Sequence, residues 1–147
     1  MKTTSPARNP RFRFEKLDVW QDARRLNRET YRLTRAFPAE ELYALTSQAR
    51  RASVSIAANI AEGSGRNSDR DFAHFLEQSY GSAMELAAHF YLARDLGCLA
   101  VESLEAALDH VHQVAIRIAA LNRSLGVGEQ KVRLAQPSPF DPRPSTR

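Results

Sequence analysis

Apolar residues recur at three- and four-residue steps through four long stretches of the chain, and no stretch alternates apolar with polar residues as a half-buried strand would. The pattern predicts an all-α domain. In the first stretch Val19, Ala23, Leu26, Thr30, Leu33 and Phe37 share one helical face, which predicts a helix from about Val19 to Ala36, with Asp18 as N-cap and Pro38 just past its end. Phe37 to Leu42 reads as a connector with room for one helical turn, because a residue before proline is pushed away from helical dihedrals. A second helix is predicted from about Thr46 to Glu62, with Ala49, Ala52, Ile56 and Ile60 inward and Gly63 as a left-handed C-terminal residue.

The third stretch is the longest. Ser68 followed by Asp71 resembles a capping box with aspartate in place of glutamate, and Asp69 and Asp71 suit the positive end of a helix dipole. Phe72, Leu76, Ser79, Ala83, Leu86, Phe90 and Ala93 continue the stripe until Gly97 ends the helix. A fourth helix is predicted from about Val101 to Leu125, with Leu104, Leu108, Val111, Ala115, Ile118, Leu121 and Leu125 inward and Gly126 as its stop. Four helices with short connections imply an antiparallel, up-down-up-down four-helix bundle over residues 12–126. Residues 1–11 and 127–147, the latter ending in QPSPFDPRPSTR, are polar and proline-rich and read as disordered tails.

Between the second and third helices, SIAANIAEGSGRNSDRDF (residues 55–72) resembles a phosphate-gripping loop at first sight. It lacks the Gly-x-x-x-x-Gly-Lys of a Walker site and the preceding strand of a dinucleotide site, so it reads as a connection. The alternative is an anion at the start of the third helix, helped by Arg66 and Arg70. Asn59 falls beside the inward Ile56 and Ile60, where an amide needs partners, and it and Glu62 read as groups satisfied at the helix end.

Other chemistry is sparse. Cys98 is alone, which excludes an internal disulfide and a cysteine metal cluster. No glutamate has a histidine three residues on, as di-iron bundles require, and His74, His89, His110 and His112 are scattered in helical phase. No catalytic residue, cofactor or metal is expected, and the chain reads as non-enzymatic. The N-terminal sequence has no apolar segment of a secretory signal and no run long enough to span a membrane, so a cytoplasmic protein without membrane contact is expected.

Several short motifs carry a resemblance when taken together. Leu17-Asp18-Val19-Trp20-Gln21, Phe37-Pro38, Leu45-Thr46-Ser47-Gln48, Arg50-Arg51-Ala52, Ser55-Ile56, Asn59-Ile60-Ala61-Glu62-Gly63, Gly65-Arg66 and Gly81-Ser82 with Glu85-Leu86 resemble the bacterial four-helix-bundle proteins named after intervening sequences in 23S ribosomal RNA genes. The likeness covers about residues 12–125. It implies a four-helix bundle that assembles as a homopentamer, with no enzymatic activity. It also suggests a distant relation to the Avd-like accessory proteins of retroelements, basic pentameric bundles that bind nucleic acid and a reverse transcriptase. Two positions depart from the pattern: the family often has proline where Ala57 stands, and a serine-like cap where Ala100 stands.

Charge points to function without reference to the resemblance. Residues 1–36 carry ten Lys and Arg against four acids, whereas residues 67–126 carry four basic residues against eight acids, so a chain of net charge +4 is strongly polarised. Arg24, Arg28, Arg32 and Arg35 share one face of the first helix, Arg25 flanks them, and Arg50 and Arg51 open the second helix. Arginine at all these positions favours bidentate contact with phosphate or carboxylate. With Arg66 they form a candidate surface for the backbone of RNA or DNA; Tyr31 is the lone aromatic within the stripe, so contact with bases is not expected. The competing reading is a protein-only scaffold or adaptor, whose basic helix docks on acidic surfaces of neighbouring subunits or of a partner such as a reverse transcriptase. Asp22 and Glu29 lie three residues from Arg25 and Arg32 and would occupy part of the charge in surface pairs.

Small residues on the second and third helices predict close approach. Gly81, in mid-helix, needs an offset for its cost of about 1 kcal/mol relative to alanine, either packing within the subunit or contact between subunits. Trp20, with Phe12, Phe14 and Leu17 before it, is expected to pack along a neighbouring copy.

Overall fold

The computed structural model describes residues 9–127. Four α-helices make up the fold: α1 (Asp18–Thr34), α2 (Ser47–Ser64), α3 (Asp69–Asp95) and α4 (Val101–Ser124). A 3-10 turn, Arg13–Lys16, precedes α1, and a second one, Ala39–Glu41, leads through a π-helical turn, Leu42–Thr46, into α2. There is no strand among the described residues. The tails expected over 1–11 and 127–147 lie almost wholly outside the described residues.

Each inward stripe meets the others in one core. Leu26, Ile56, Ile60, Phe72, Leu76, Leu86, Phe90, Val114 and Ile118 are its most enclosed large members, drawn from all four helices. On α4, Ala107 and Val114 join the core, while Leu108, Leu121 and Leu125 are half-buried against its edge. Cross-helix contacts tie the successive helices together and are compatible with an up-down course. Ser53 Oγ donates to Asn27 Oδ1 at 2.7 Å between α2 and α1, Ser79 Oγ donates to the Ile56 carbonyl at 2.8 Å between α3 and α2, and Arg70 and Ala73 of α3 face Arg123 and Ala119 of α4.

The α2–α3 pair is the tightest. Ser79 can reach a main-chain carbonyl of the facing helix only where small side chains let the backbones approach, and the Ser55 and Ser82 hydroxyls meet at 2.8 Å in the same seam. Buried hydroxyls elsewhere bond back along their own helix, Thr30 to the Leu26 carbonyl and Thr34 to the Thr30 carbonyl, so burial leaves them satisfied.

Four expectations need correction. The N-cap of α1 is the extended Leu17 (φ −83°, ψ 117°), not Asp18; the preceding 3-10 turn feeds directly into the helix, and Asp18 becomes an acid of its first turn. Gly63 is not a left-handed terminus, because α2 continues to Ser64 and, among the described residues, only Gly97 (φ 76°) and Gly126 (φ 71°) have positive φ. Space explains it instead: a Cβ on Gly63 would stand 2.7 Å from Phe75 Cβ and 2.8 Å from Phe72 Cδ2. Gly81 is exposed and a Cβ there would meet nothing within 4 Å, which removes packing within the subunit as its offset.

Trp20 is the fourth. It is half-buried against this chain's own core, with Phe14 tilted onto it at 4.6 Å between ring centroids and Phe12 stacked on Phe14 at 5.5 Å, although Phe12 stays 58% exposed. The 3-10 turn folds these rings back onto the bundle. Arg13 holds it there, donating to the Ser64 carbonyl at 3.4 Å with its guanidinium over the Phe72 ring.

Ser68 caps α3 as expected, its hydroxyl accepting from the Asp71 N–H at 3.1 Å, whereas Ala100 offers α4 no such bond. Gly63→Ala should lower stability by about 1–3 kcal/mol, because the new methyl collides with two phenylalanines in a packed seam. Thermal melting checks this, and an unchanged midpoint would show that the seam can open at no cost.

Candidate nucleic-acid interface

The face of α1 that carries the arginines is set by the face it must bury. Val19, Asp22, Ala23, Leu26, Thr30, Leu33 and Thr34 are buried, and with 3.6 residues per turn Arg24, Arg28, Arg32 and Arg35 then cluster on the opposite side within an arc of about 80°. All four are exposed, as is Arg25 beside them. From Arg24 to Arg35 the row is about 16 Å long at 1.5 Å per residue. Pairing of α2 with α1 brings Arg50 and Arg51, at the start of α2, alongside the C-terminal end of this row: Arg50 Nε donates to Thr34 Oγ1 at 2.9 Å and its guanidinium lies over the Tyr31 ring at 4.6 Å.

The arginines differ in what already occupies them. Arg28, Arg35 and Arg51 make no hydrogen bond or ion pair with a described residue, which leaves them open to an external anion. Arg24 lies over the Trp20 ring at 5.4 Å and donates to Gln21 Oε1 at 3.3 Å, contacts that position the side chain without neutralising it. Arg25 reaches Asp22 Oδ1 at 3.5 Å. Arg32 grips Glu29 with two donors, Nε to Oε2 at 3.0 Å and Nη2 to Oε1. That grip lowers the Glu29 pKa through the hydrogen bond from Arg32, against a smaller opposing effect of partial burial.

Arg66 stands apart from the others. It bonds Glu62 Oε1 at 3.0 Å and covers the Phe75 ring at 4.6 Å, and it follows the C-terminal end of α2, roughly 22 Å along that helix from Arg51. The sequence grouping therefore contains one continuous surface, from α1 and the start of α2, and one separate arginine. Asn59 is a structural tie, its amide donating to the Ser55 carbonyl at 2.9 Å and to Ser55 Oγ at 3.0 Å. Glu62 is the exposed partner of Arg66.

Asp22 does more than the surface pairing with Arg25 that the sequence suggests. It is 7% exposed, with His110 Nε2 at 3.2 Å from one carboxylate oxygen and Arg117 Nη1 at 3.5 Å from the other, so it joins α1 to α4. Its partners on α4 are 88 and 95 positions away, beyond any local pattern. The one sequence signal for this role is phase, because Asp22 falls at the edge of the apolar stripe. Two of the other histidines pair locally, His74 with Gln78 and His89 with Glu85, and no cluster of metal-ligating side chains exists among the described residues. Partial burial, and then the carboxylates of Glu41 and Glu40, push the Cys98 thiol up, which keeps it protonated.

The family model described as 23S rRNA-intervening sequence protein matches residues 15–120. The chain belongs to that family. The matched span runs from the 3-10 turn before α1 to the last turns of α4, so the arginine row, the Asp22 junction and the Gly63 seam all fall within it. No curated protein matches the chain. No helix among the described residues is long and apolar enough to cross a membrane.

Two outcomes test this geometry. Asp22→Ala should cost about 1–3 kcal/mol in chemical denaturation, since it removes the buried carboxylate that ties the half-buried His110 and the exposed Arg117 of α4 to α1. Arg32→Gln should move the Glu29 titration, followed by NMR, upward towards the ordinary glutamate range. A carboxyl with a lowered folded pKa contributes stability above its unfolded pKa and loses it as pH falls through the folded value, so the variant should be less stable near neutrality, converge on the native protein in acid, and show a flatter fall of stability between.

Proposed function

We propose that this protein is a non-enzymatic, cytoplasmic, oligomeric bundle that binds the backbone of RNA or DNA through the outer face of α1. The observation that carries the reading is the placement of Arg24, Arg25, Arg28, Arg32 and Arg35 together on the solvent side of one helix, with Arg28 and Arg35 unpartnered among the described residues. A row of guanidinium groups about 16 Å long suits a repeating polyanion better than a single small anion. Arginine donors on a rigid helix contact phosphates bidentately, with affinity that falls steeply with salt and little dependence on sequence.

Assembly into a homopentamer accompanies this reading and is favoured by a second surface. Tyr80, Met84, Tyr91 and Leu92 are 41–55% exposed on the outer face of α3, around the open Gly81, and such a face on a surface helix gains by being covered. Five copies would repeat the arginine row around one particle and raise the local positive potential. The competing scaffold or adaptor reading uses the same surfaces differently, with the basic α1 set against acidic surfaces of a neighbouring copy or of a partner protein such as a reverse transcriptase.

Fluorescence anisotropy with labelled structured RNA and duplex DNA at two salt concentrations, with light scattering on the same samples, separates the two. Replacing Arg24, Arg28, Arg32 and Arg35 together by glutamine should abolish binding while the oligomer persists, and single replacements should each reduce the salt slope by roughly one for every phosphate no longer neutralised. Absence of binding by the native protein at low salt, or dissociation of the oligomer in the variant, would favour the adaptor. Gly81→Leu should lower the mass in light scattering with helical circular dichroism retained, because Gly81 is exposed and within one chain a Cβ there meets nothing within 4 Å.

A further inference from the structure

The end of the arginine row opens onto a groove that the backbone-binding reading leaves unused. It has a volume of about 420 Å³ and lies between α1, the π-helical turn and α2, with Tyr31, Tyr43, Arg50, Arg51 and Val54 in its walls. Tyr43 is 92% exposed, the most exposed large apolar side chain among the described residues, and Leu42 and Val54 beside it are each 45% exposed. The exposure is built in. Leu45 and Thr46 of the same turn are buried at 8% and 3%, and the Glu41 side chain accepts from the Leu45 N–H at 3.4 Å, so the turn is anchored while Tyr43 stands clear of it.

The groove is continuous with the arginine row. Tyr31 is one helical turn from both Arg28 and Arg35, and Arg50, fixed to Thr34, lays its guanidinium plane over the Tyr31 ring. Arg51, without a partner among the described residues, forms the wall on the α2 side. The nearest acids along the chain, Glu40 and Glu41, do not line the groove. An exposed phenol ring and a stacked guanidinium, bordered by free positive charge, match the two faces of a nucleotide: a flat π surface and a phosphate.

Resting on the backbone-binding reading and narrowing its substrate class, we propose that this groove takes an unpaired base of a single-stranded segment, stacked on Tyr43 and the Arg50 plane, while the adjoining phosphates lie on Arg51, Arg28 and Arg35. A duplex keeps its bases stacked inside and offers the groove nothing but its backbone, whereas a single strand can turn a base outward onto an aromatic ring. Single strands and duplexes with unpaired overhangs are therefore the preferred ligands. The shared groove is hidden in the sequence because Tyr43 lies twelve residues from Tyr31, on a different element.

The test compares a labelled mixed-sequence single strand with a blunt duplex of equal length, at one salt concentration, for the native protein, Tyr43→Ala and Tyr43→Phe. Tyr43 stands outside the core, and circular dichroism checks that both variants fold. Tyr43→Ala should weaken single-strand binding about tenfold, leave duplex binding within about twofold, and be rescued by Tyr43→Phe. Equal weakening on both ligands, or on neither, overturns the base site and leaves the arginine surface standing. Failure of the native protein to bind either ligand removes both. A smaller particle in light scattering for Tyr43→Ala, with binding unchanged, assigns the patch to contact between copies and overturns the proposal.

Discussion

The close approach of α2 and α3 is the constraint on which the rest of the bundle depends. Gly63 presses against Phe72 and Phe75 where any side chain would collide, and Ser79 bonds the Ile56 main-chain carbonyl across the same seam. Two helices held this close can slide or rotate very little, because each small residue is matched to one facing ring or hydroxyl. The register of α2 is thereby set, and α1 follows it through Ser53 with Asn27 and Arg50 with Thr34.

Polar contacts then decide orientation where apolar packing would tolerate rotation. Asp22 sits at the α1–α4 boundary with His110 and Arg117 reaching it from α4, while Asn27 and Thr34 face α2 on the other flank of α1. Buried acceptors that must be met from both neighbours pin the rotation of α1 about its own axis. Its arginines are turned outward as a result, so the exposed charge is a consequence of how the core is tied.

Within that surface, aromatic rings arrange the guanidinium groups. Trp20 lies under Arg24 and Tyr31 under Arg50, contacts that hold planar cations in place while leaving edge donors free. Arg32, in contrast, spends its fork on Glu29, and Arg66 is taken by Glu62 and Phe75 at the far end of α2. Arginines that look alike in the sequence are thus divided between those that brace the fold and those left for a partner.

The four helices, their inward faces and the stops at Gly97 and Gly126 were legible in the sequence, because helical periodicity and positive-φ glycines are local properties. The exposed arginine row on α1 was legible for the same reason: a face opposite a buried stripe needs no knowledge of neighbours. Gly63 was assigned the right importance for the wrong cause, since a helix-end dihedral can be guessed locally but a clash with Phe72 and Phe75 requires the packed partner. Asp22 as an inter-helix junction, Trp20 packed against its own chain's core and the groove that Tyr31 and Tyr43 both line were decided only by the tertiary structure. Each depends on residues distant in the chain being brought within a few ångströms, a relation that periodicity along a single helix does not encode.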